Sequence, residues 1–253
     1  MYKNTLKQKL ARGIKCTGCF LLMPNPDVAE ILAHIGFDVL LIDHEHGPGS
    51  YSDAIAQMRA MQATDVASMV RVPANDPVAV KRILDCGARN ILCPNVETAE
   101  QADALVRACR YPPRGMRGAG GGIRAARYGL NPDYYEKTSE DEVLIALQIE
   151  SPRAVAEIDK IAAVPGVDML LIGPRDLSAA MGVLNRFDDP ELLAMLKRAE
   201  ERILASGKYL ASVVYPGTTA RQMFSRGYGL VIVGTDVGFI SQAAKSALVE
   251  ARK

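Results

Sequence analysis

Eight short apolar runs punctuate the chain, and a segment of helical periodicity follows each one. The runs are Cys16–Met23, Asp38–Glu45, Ala67–Pro73, Ala88–Val96, Val143–Glu150, Val167–Pro174, Lys208–Tyr215 and Leu230–Thr235. Most are continuously apolar rather than alternating, as parallel strands buried on both faces must be. The helical segments are Pro26–Ile35, Ser52–Ala63, Pro77–Cys86, Thr98–Cys109, Pro152–Ala163, Pro190–Ser206, Thr218–Arg226 and Val237–Ala251. Pro26, Pro77, Pro152 and Pro190 stand at first-turn positions behind the capping residues Asn25, Asp76, Ser151 and Asp189. Gly36, Gly87, Gly207 and Gly227 stand where four of the helices must stop. Eight β-α units in 253 residues is the arithmetic of a closed (β/α)8 barrel, with a doubly wound open sheet as the alternative. No linker or shift of composition divides residues 1–253, which read as one domain. The stretch Tyr111–Glu142, containing YPPRGMRGAGGGIRAARYG, reads as irregular, and a loop of that length is usually functional or an interface arm.

Composition narrows the function. The formal net charge is +1 and no Lys/Arg stripe is present, which argues against a nucleic-acid partner. No apolar run approaches a membrane span, and the basic N-terminus has no apolar core of a signal peptide. Five cysteines scattered through apolar segments suit a reduced, cytoplasmic chain.

In a (β/α)8 barrel the active site lies at the C-terminal ends of the strands. There the chain places Asp43, His44, Glu45 and His46, then Arg71, then Gln148 and Glu150, then Gly173-Pro174-Arg175-Asp176. Gln148 and Glu150 are two apart and share a strand face, although Glu150 could instead serve only the helix begun at Ser151-Pro152. Glu150 and Asp176 come from adjacent strands and offer the oxygen ligands that hold Mg2+ or Mn2+ when substrate completes the shell. Arg71, between Val70 and Val72, needs an anionic partner, either a substrate carboxylate or enolate or a neighbouring acid. His46, ahead of Gly-Pro-Gly, is suited to general acid-base work. Asp85 ends a helix, where the dipole disfavours a carboxylate, so it calls for a cationic or His partner unless it is simply solvated.

Other chemistries fit less well. His44-x-His46 has metal-ligand spacing, but His34 is the chain's remaining histidine and lies in a helical pattern. No lysine stands at a strand mouth for Schiff-base chemistry. Cys16-x-x-Cys19 lies inside a strand, and the glycines of GAGGGIR lack the context of a phosphate loop.

Taken in order, the segments GFDVLLIDHEHGP (36–48), VRVPANDP (70–77), KRILDCGA (81–88), RYPPRGMRG (110–118), QIES (148–151), GVDMLLIGPRDLS (166–178) and VIVGTD (231–236) span almost the whole chain. In these segments the chain resembles the HpcH/HpaI aldolases, metal-dependent pyruvate aldolases on a phosphoenolpyruvate/pyruvate-type barrel. The resemblance implies a divalent metal (Mg2+, Mn2+ or Co2+) on Glu150 and Asp176, with Arg71 steadying a pyruvate enolate. It further implies His46 as base, Asp85 raising its basicity, and Gln148 with Gly173, Pro174, Arg175 and Asp176 binding substrate. Asp43 would help through hydrogen bonds, either within the chain or across a subunit boundary. The implied reaction is reversible cleavage of a 4-hydroxy-2-oxo acid, such as 4-hydroxy-2-oxoheptanedioate or a 2-keto-3-deoxy sugar acid, to pyruvate and an aldehyde. The implied setting is aromatic catabolism, and the implied assembly is a homo-hexamer, a trimer of dimers that exchange the helix at Val237–Ala251. Alternatives are a citramalyl- or malyl-CoA-type lyase and a non-catalytic 2-oxo-acid-binding protein. Two positions depart from the pattern: His44, where glycine is common, and Arg175, where a small residue is common.

Overall fold

The strands close into a barrel in sequence order: β1 (Cys16–Leu21), β2 (Val39–Asp43), β3 (Ala67–Arg71), β4 (Asn90–Cys93), β5 (Leu144–Ile149), β6 (Met169–Ile172), β7 (Tyr209–Val213) and β8 (Leu230–Thr235). All neighbours are parallel, and β8 pairs with β1 through Leu230 and Cys16, which rules out the open sheet. This computed structural model describes residues 3–130 and 132–253. Met1, Tyr2 and Asn131, which belong to the N-terminal and Tyr111–Glu142 segments above, lie outside the described residues.

The helices are α1 (Thr5–Ala11), α2 (Pro26–Ile35), α3 (Tyr51–Ala60), α4 (Pro77–Asp85), α5 (Ala99–Cys109), α6 (Pro132–Glu142), α7 (Pro152–Ala156), α8 (Ile158–Ala163), α9 (Pro174–Ala180), α10 (Pro190–Ala205), α11 (Ala220–Ser225) and α12 (Asp236–Ala251). The expected caps form. The Asn25 side chain accepts from the Asp27 and Val28 amides, Asp76 from Val78, Ser151 from Ala154, and Asp189 from Glu191 and Leu192. Each such cap stabilises its helix by about 1 kcal/mol. Gly36 closes α2 at φ 103° and Gly87 follows α4 at φ 102°, a region that costs other residues.

Four elements differ from the sequence reading. The expected helix Pro152–Ala163 divides at Glu157 (φ −100°, ψ 4°) into α7 and α8. The Tyr111–Glu142 stretch is not wholly irregular, because it contains α6 and a 3-10 segment at Arg124–Gly129. The short α9 begins directly behind β6, and α1 precedes the first strand.

Alternation along the strands makes two cores. Val39, Leu41, Met69, Leu92, Leu144, Ala146, Met169, Leu171, Ala211 and Ile232 fill the barrel interior. Leu40, Ile42, Val70, Ile91, Ile145, Leu147, Leu170 and Val231 face the helix layer. Leu6 and Leu10 of α1 join the inner core and close its N-terminal end. Among the described residues, no helix is long and apolar enough to cross a membrane. On one chain α12 leaves Val237, Ile240, Leu248 and Val249 exposed.

Candidate active site

Inward alternation continues from the apolar layers into a polar one at the C-terminal mouth. Asp43 follows Val39 and Leu41, Arg71 follows Met69, and Gln148 follows Leu144 and Ala146. Asp43 and Arg71 are register partners on β2 and β3. The Arg71 guanidinium grips Asp43 with both forks, Nε to Oδ1 at 2.9 Å and Nη2 to Oδ2 at 2.6 Å. Its Nη1 stands 2.9 Å from Glu45 Oε2 and donates to Gln148 Oε1 at 3.4 Å. The Phe20 ring lies 4.7 Å from the guanidinium carbon. Arg71, Asp43, Gln148 and Glu150 are all buried.

Asp43 also orders the turn that follows β2. Its Oδ1 accepts the backbone N–H of Glu45 at 3.0 Å and of His46 at 3.3 Å. Burial alone would raise the Asp43 carboxyl, but the hydrogen bonds and charge of Arg71 overcome it and hold the group below its ordinary value. A Cβ on Gly47 would lie 2.3 Å from the Asp43 carbonyl, so the turn requires glycine.

Glu150 closes the network on the β5 side. Its Oε1 accepts the Asn95 amide at 2.7 Å, and its Oε2 accepts from Gln148 Nε2. Asn95 reaches it from a left-handed conformation, φ 55°. Burial pushes the Glu150 carboxyl up to about 7, against the Asn95 bond and with the help of the Asp176 and Glu45 charges. Burial likewise raises Glu45, with Arg71 opposing. Gly173 stands behind this carboxylate, where a Cβ would meet Glu150 Oε2 at 2.9 Å and Gln148 Nε2 at 3.1 Å. Pro174 is buried, and Arg175 and Asp176 are exposed on the first turn of α9, whose N-terminal amides open toward the same mouth.

The expected residues do not all meet. Arg71, Gln148 and Glu150 form one network, with Gly173 packed against it and the Asp176 charge acting on it. His46 is exposed at the rim. Asp85 is not its partner within the chain. α4 runs back from the mouth, so its last residue lies at the far end of the barrel. There Asp85 accepts from Arg117 Nη2 at 2.7 Å. Arg117 is buried between the Tyr111 and Tyr135 rings and also donates to the Tyr135 hydroxyl at 2.9 Å. Asp43 contacts Arg71 of its own chain, so that bond needs no subunit boundary. His44 is half-buried with its ring centroid 6.0 Å from that of Tyr51, and burial holds it below its ordinary value.

Asn95 and Phe20 are absent from the sequence candidates for this site, and Glu45, placed by the sequence at the end of β2, has no role assigned to it there. Asp236, at the start of α12, is also buried and ties the β8 end to the turn after β1 by accepting the Leu22 and Met23 amides at 3.0 and 2.9 Å.

Comparison with known proteins agrees with this architecture. The family model described as HpcH/HpaI aldolase/citrate lyase matches residues 16–243. The chain belongs to that family. It is 40% identical over 244 residues to the hydroxypyruvate/pyruvate aldolase of Deinococcus radiodurans, covering 96% of this chain and 88% of that one. It is 41% identical over 246 residues to the 4-hydroxy-2-oxovalerate aldolase of Novosphingobium aromaticivorans, covering 97% and 93% respectively. The crystal structure of an HpcH/HpaI aldolase/citrate lyase family protein from Burkholderia cenocepacia superposes with a TM-score of 0.94 at 38% identity, covering 99% of this chain and 100% of that one. This member of the family is an aldolase, a carbon–carbon lyase, built as a closed eight-stranded barrel.

Proposed function

We propose that the chain cleaves 4-hydroxy-2-oxo acids reversibly to pyruvate and an aldehyde, with a divalent ion held by Glu150 and Asp176. The observation that carries this reading is the Arg71 network, in which one buried guanidinium faces a group of carboxylates at the mouth. The residues fit a hard cation. Glu150 is a buried carboxylate pushed up to about 7, partly by the charges of Asp176 and Glu45, and a cation beside it would relieve that repulsion. Glu150 and Asp176 would supply two carboxylates, with substrate and water completing the shell. When bound, Mg2+, Mn2+ or Co2+ supplies Lewis-acid polarisation of the 2-oxo group.

The chain's own residues do the rest. Gln148 and the α9 amides at Arg175 and Asp176, behind Gly173 and Pro174, orient the carboxylate end of the substrate. His46 takes the proton of the 4-hydroxyl, the C3–C4 bond breaks, and its electron pair moves into the enolate of pyruvate. Arg71, already desolvated and held by Asp43, balances the charge that develops on the enolate oxygen. A proton returned to C3 completes pyruvate. The exposed apolar side chains of α12 suit cover by a second copy of the chain, in line with a homo-oligomer.

The test is pyruvate release from a panel of 4-hydroxy-2-oxo acids, before and after metal stripping and with each metal restored. Activity should vanish on stripping and in His46→Ala and Arg71→Ala. Wild-type rates in either variant, or in stripped protein, would sink the mechanism. Turnover confined to CoA thioesters would favour the acyl-CoA lyase alternative.

A further inference from the structure

β4 stands between the strand that carries Arg71 and the strand that leads to Glu150, yet its last residues put no side chain into the network joining them. Leu92 faces the inner core, Cys93 faces the helix layer, and Pro94 is buried behind them. The loop after β4 supplies the contact instead. Asn95 lies exposed between two buried neighbours, Pro94 and Val96, and takes up φ 55°. Residues other than glycine rarely enter this left-handed region, and asparagine tolerates it better than most.

In that conformation the Asn95 N–H donates to Glu150 Oε1 at 2.7 Å, a charge-assisted bond to a buried carboxylate. The Asn95 carboxamide does less. Its Nδ2 stands 3.5 Å from Glu45 Oε1, at the limit of hydrogen bonding, so the strong contact is made by the main chain. Glu150 Oε2 accepts from Gln148 Nε2, and the close approach of Gly173 limits movement on that side. The carboxylate is therefore held at both oxygens, one by the β4 loop and one by its own strand. A backbone of ordinary φ at Asn95 would turn the N–H away and take a donor from a buried oxygen. Sparsely populated backbone persists where the surroundings demand it and clusters at ligand sites.

We propose that Asn95 is a positioning residue whose left-handed backbone aims Glu150 at the divalent ion, its amide occupying Oε1 and leaving Oε2 for the cation to share. This rests on the reading of Glu150 as a metal ligand given above. It assigns the role to the main chain of residue 95 and not to the carboxamide. A residue that accepts φ 55° preserves the device, and one that refuses it destroys the device. Partners that orient a metal ligand are worth about 10–100-fold in metal affinity.

Titration calorimetry of the stripped full chain with Mn2+ tests this, on variants shown by circular dichroism to be folded at the titration temperature. N95G keeps the backbone without the carboxamide and should bind within about threefold of wild type. N95V should bind at least about tenfold more weakly. Where N95V does not fold, N95A, also disfavoured in the left-handed region, carries the same prediction. Hydrogen–deuterium exchange of the residue-95 amide in metal-free protein gives a second readout, slow in wild type and N95G and fast in E150A. Wild-type affinity in N95V, affinity in N95G as low as in N95V, or fast exchange in wild type overturns the inference. Wild-type protein that binds no Mn2+ sinks the aldolase reading instead, and the exchange rates alone then decide whether Asn95 holds Glu150.

Discussion

Asp43→Asn is the sharpest single test of the mouth, because one carboxylate there holds three other residues in place. Asp43 receives both forks of Arg71, at 2.9 and 2.6 Å, and the amides of Glu45 and His46. Its side chain is fully buried and that of Arg71 nearly so. Removing one partner of a buried ion pair costs about 3–5 kcal/mol. Here Glu45 remains 2.9 Å from Arg71 and softens the loss, so about 2 kcal/mol is expected. For a chain of this size that corresponds to a fall of about 4–8 °C in Tm. The pH dependence has a definite sign. The Asp43 carboxyl is held below its ordinary value of 3.8, so its contribution to stability is complete above that pH and is lost as pH falls through the lower, folded-state value. The gap between wild type and variant, read by urea unfolding, should therefore be constant from neutrality to about pH 4 and narrow below it. Pyruvate release should fall at least about 100-fold, because Arg71 and His46 both lose their anchor. A gap that stays full to pH 3, or wild-type turnover, would refute the view that Asp43 acts as an ionised anchor.

Gly173→Ala places a methyl 2.9 Å from Glu150 Oε2, so metal and pyruvate affinity should drop about tenfold or more while Tm falls only modestly, read by titration calorimetry and thermal melts. Arg117→Leu removes the cation that pairs with Asp85 at 2.7 Å and stacks on two tyrosines, and urea unfolding should show a loss of about 2–3 kcal/mol. Gly18→Ala would put a Cβ 2.5 Å from Ile232 Cδ1 inside the barrel, so about 1–3 kcal/mol of stability should be lost with mouth chemistry unchanged, as paired melts and rate assays would show.

How legible each part was depends on whether its cause is local. The strands were readable because each is buried on both faces and so is apolar throughout, and the N-caps because Asn25, Asp76, Ser151 and Asp189 act on amides two or three residues away. α6 was hidden because PDYYEKTSEDE is almost wholly polar and offers no apolar stripe. The dipole argument correctly required a partner for Asp85, but Arg117 lies 32 residues away and nothing local names it. Alternation brought Asp43, Arg71 and Gln148 to one layer, yet it could not say that Asp43 rather than the substrate takes both forks of Arg71, which depends on register between strands.

The charge arrangement at the mouth gives the strongest physical reason to expect a cation there. Asp43, Glu45, Glu150 and Asp176 are four acidic side chains against the buried guanidinium of Arg71 and the exposed one of Arg175, and Asp43 already occupies both forks of Arg71. A 2-oxo acid is itself an anion, and a low-dielectric mouth strengthens repulsion as much as attraction. Arg71 cannot both hold two acids and attract a third without help. The near-zero net charge of the chain supplies no long-range field to offset this. Substrate affinity should therefore track cation occupancy rather than Arg71 alone. In titrations of the stripped protein, pyruvate should bind measurably only when a divalent ion is present, and Glu150→Gln, which removes one of the opposing charges, should weaken metal binding more than it weakens folding. Tight pyruvate binding to stripped protein would contradict the charge argument directly.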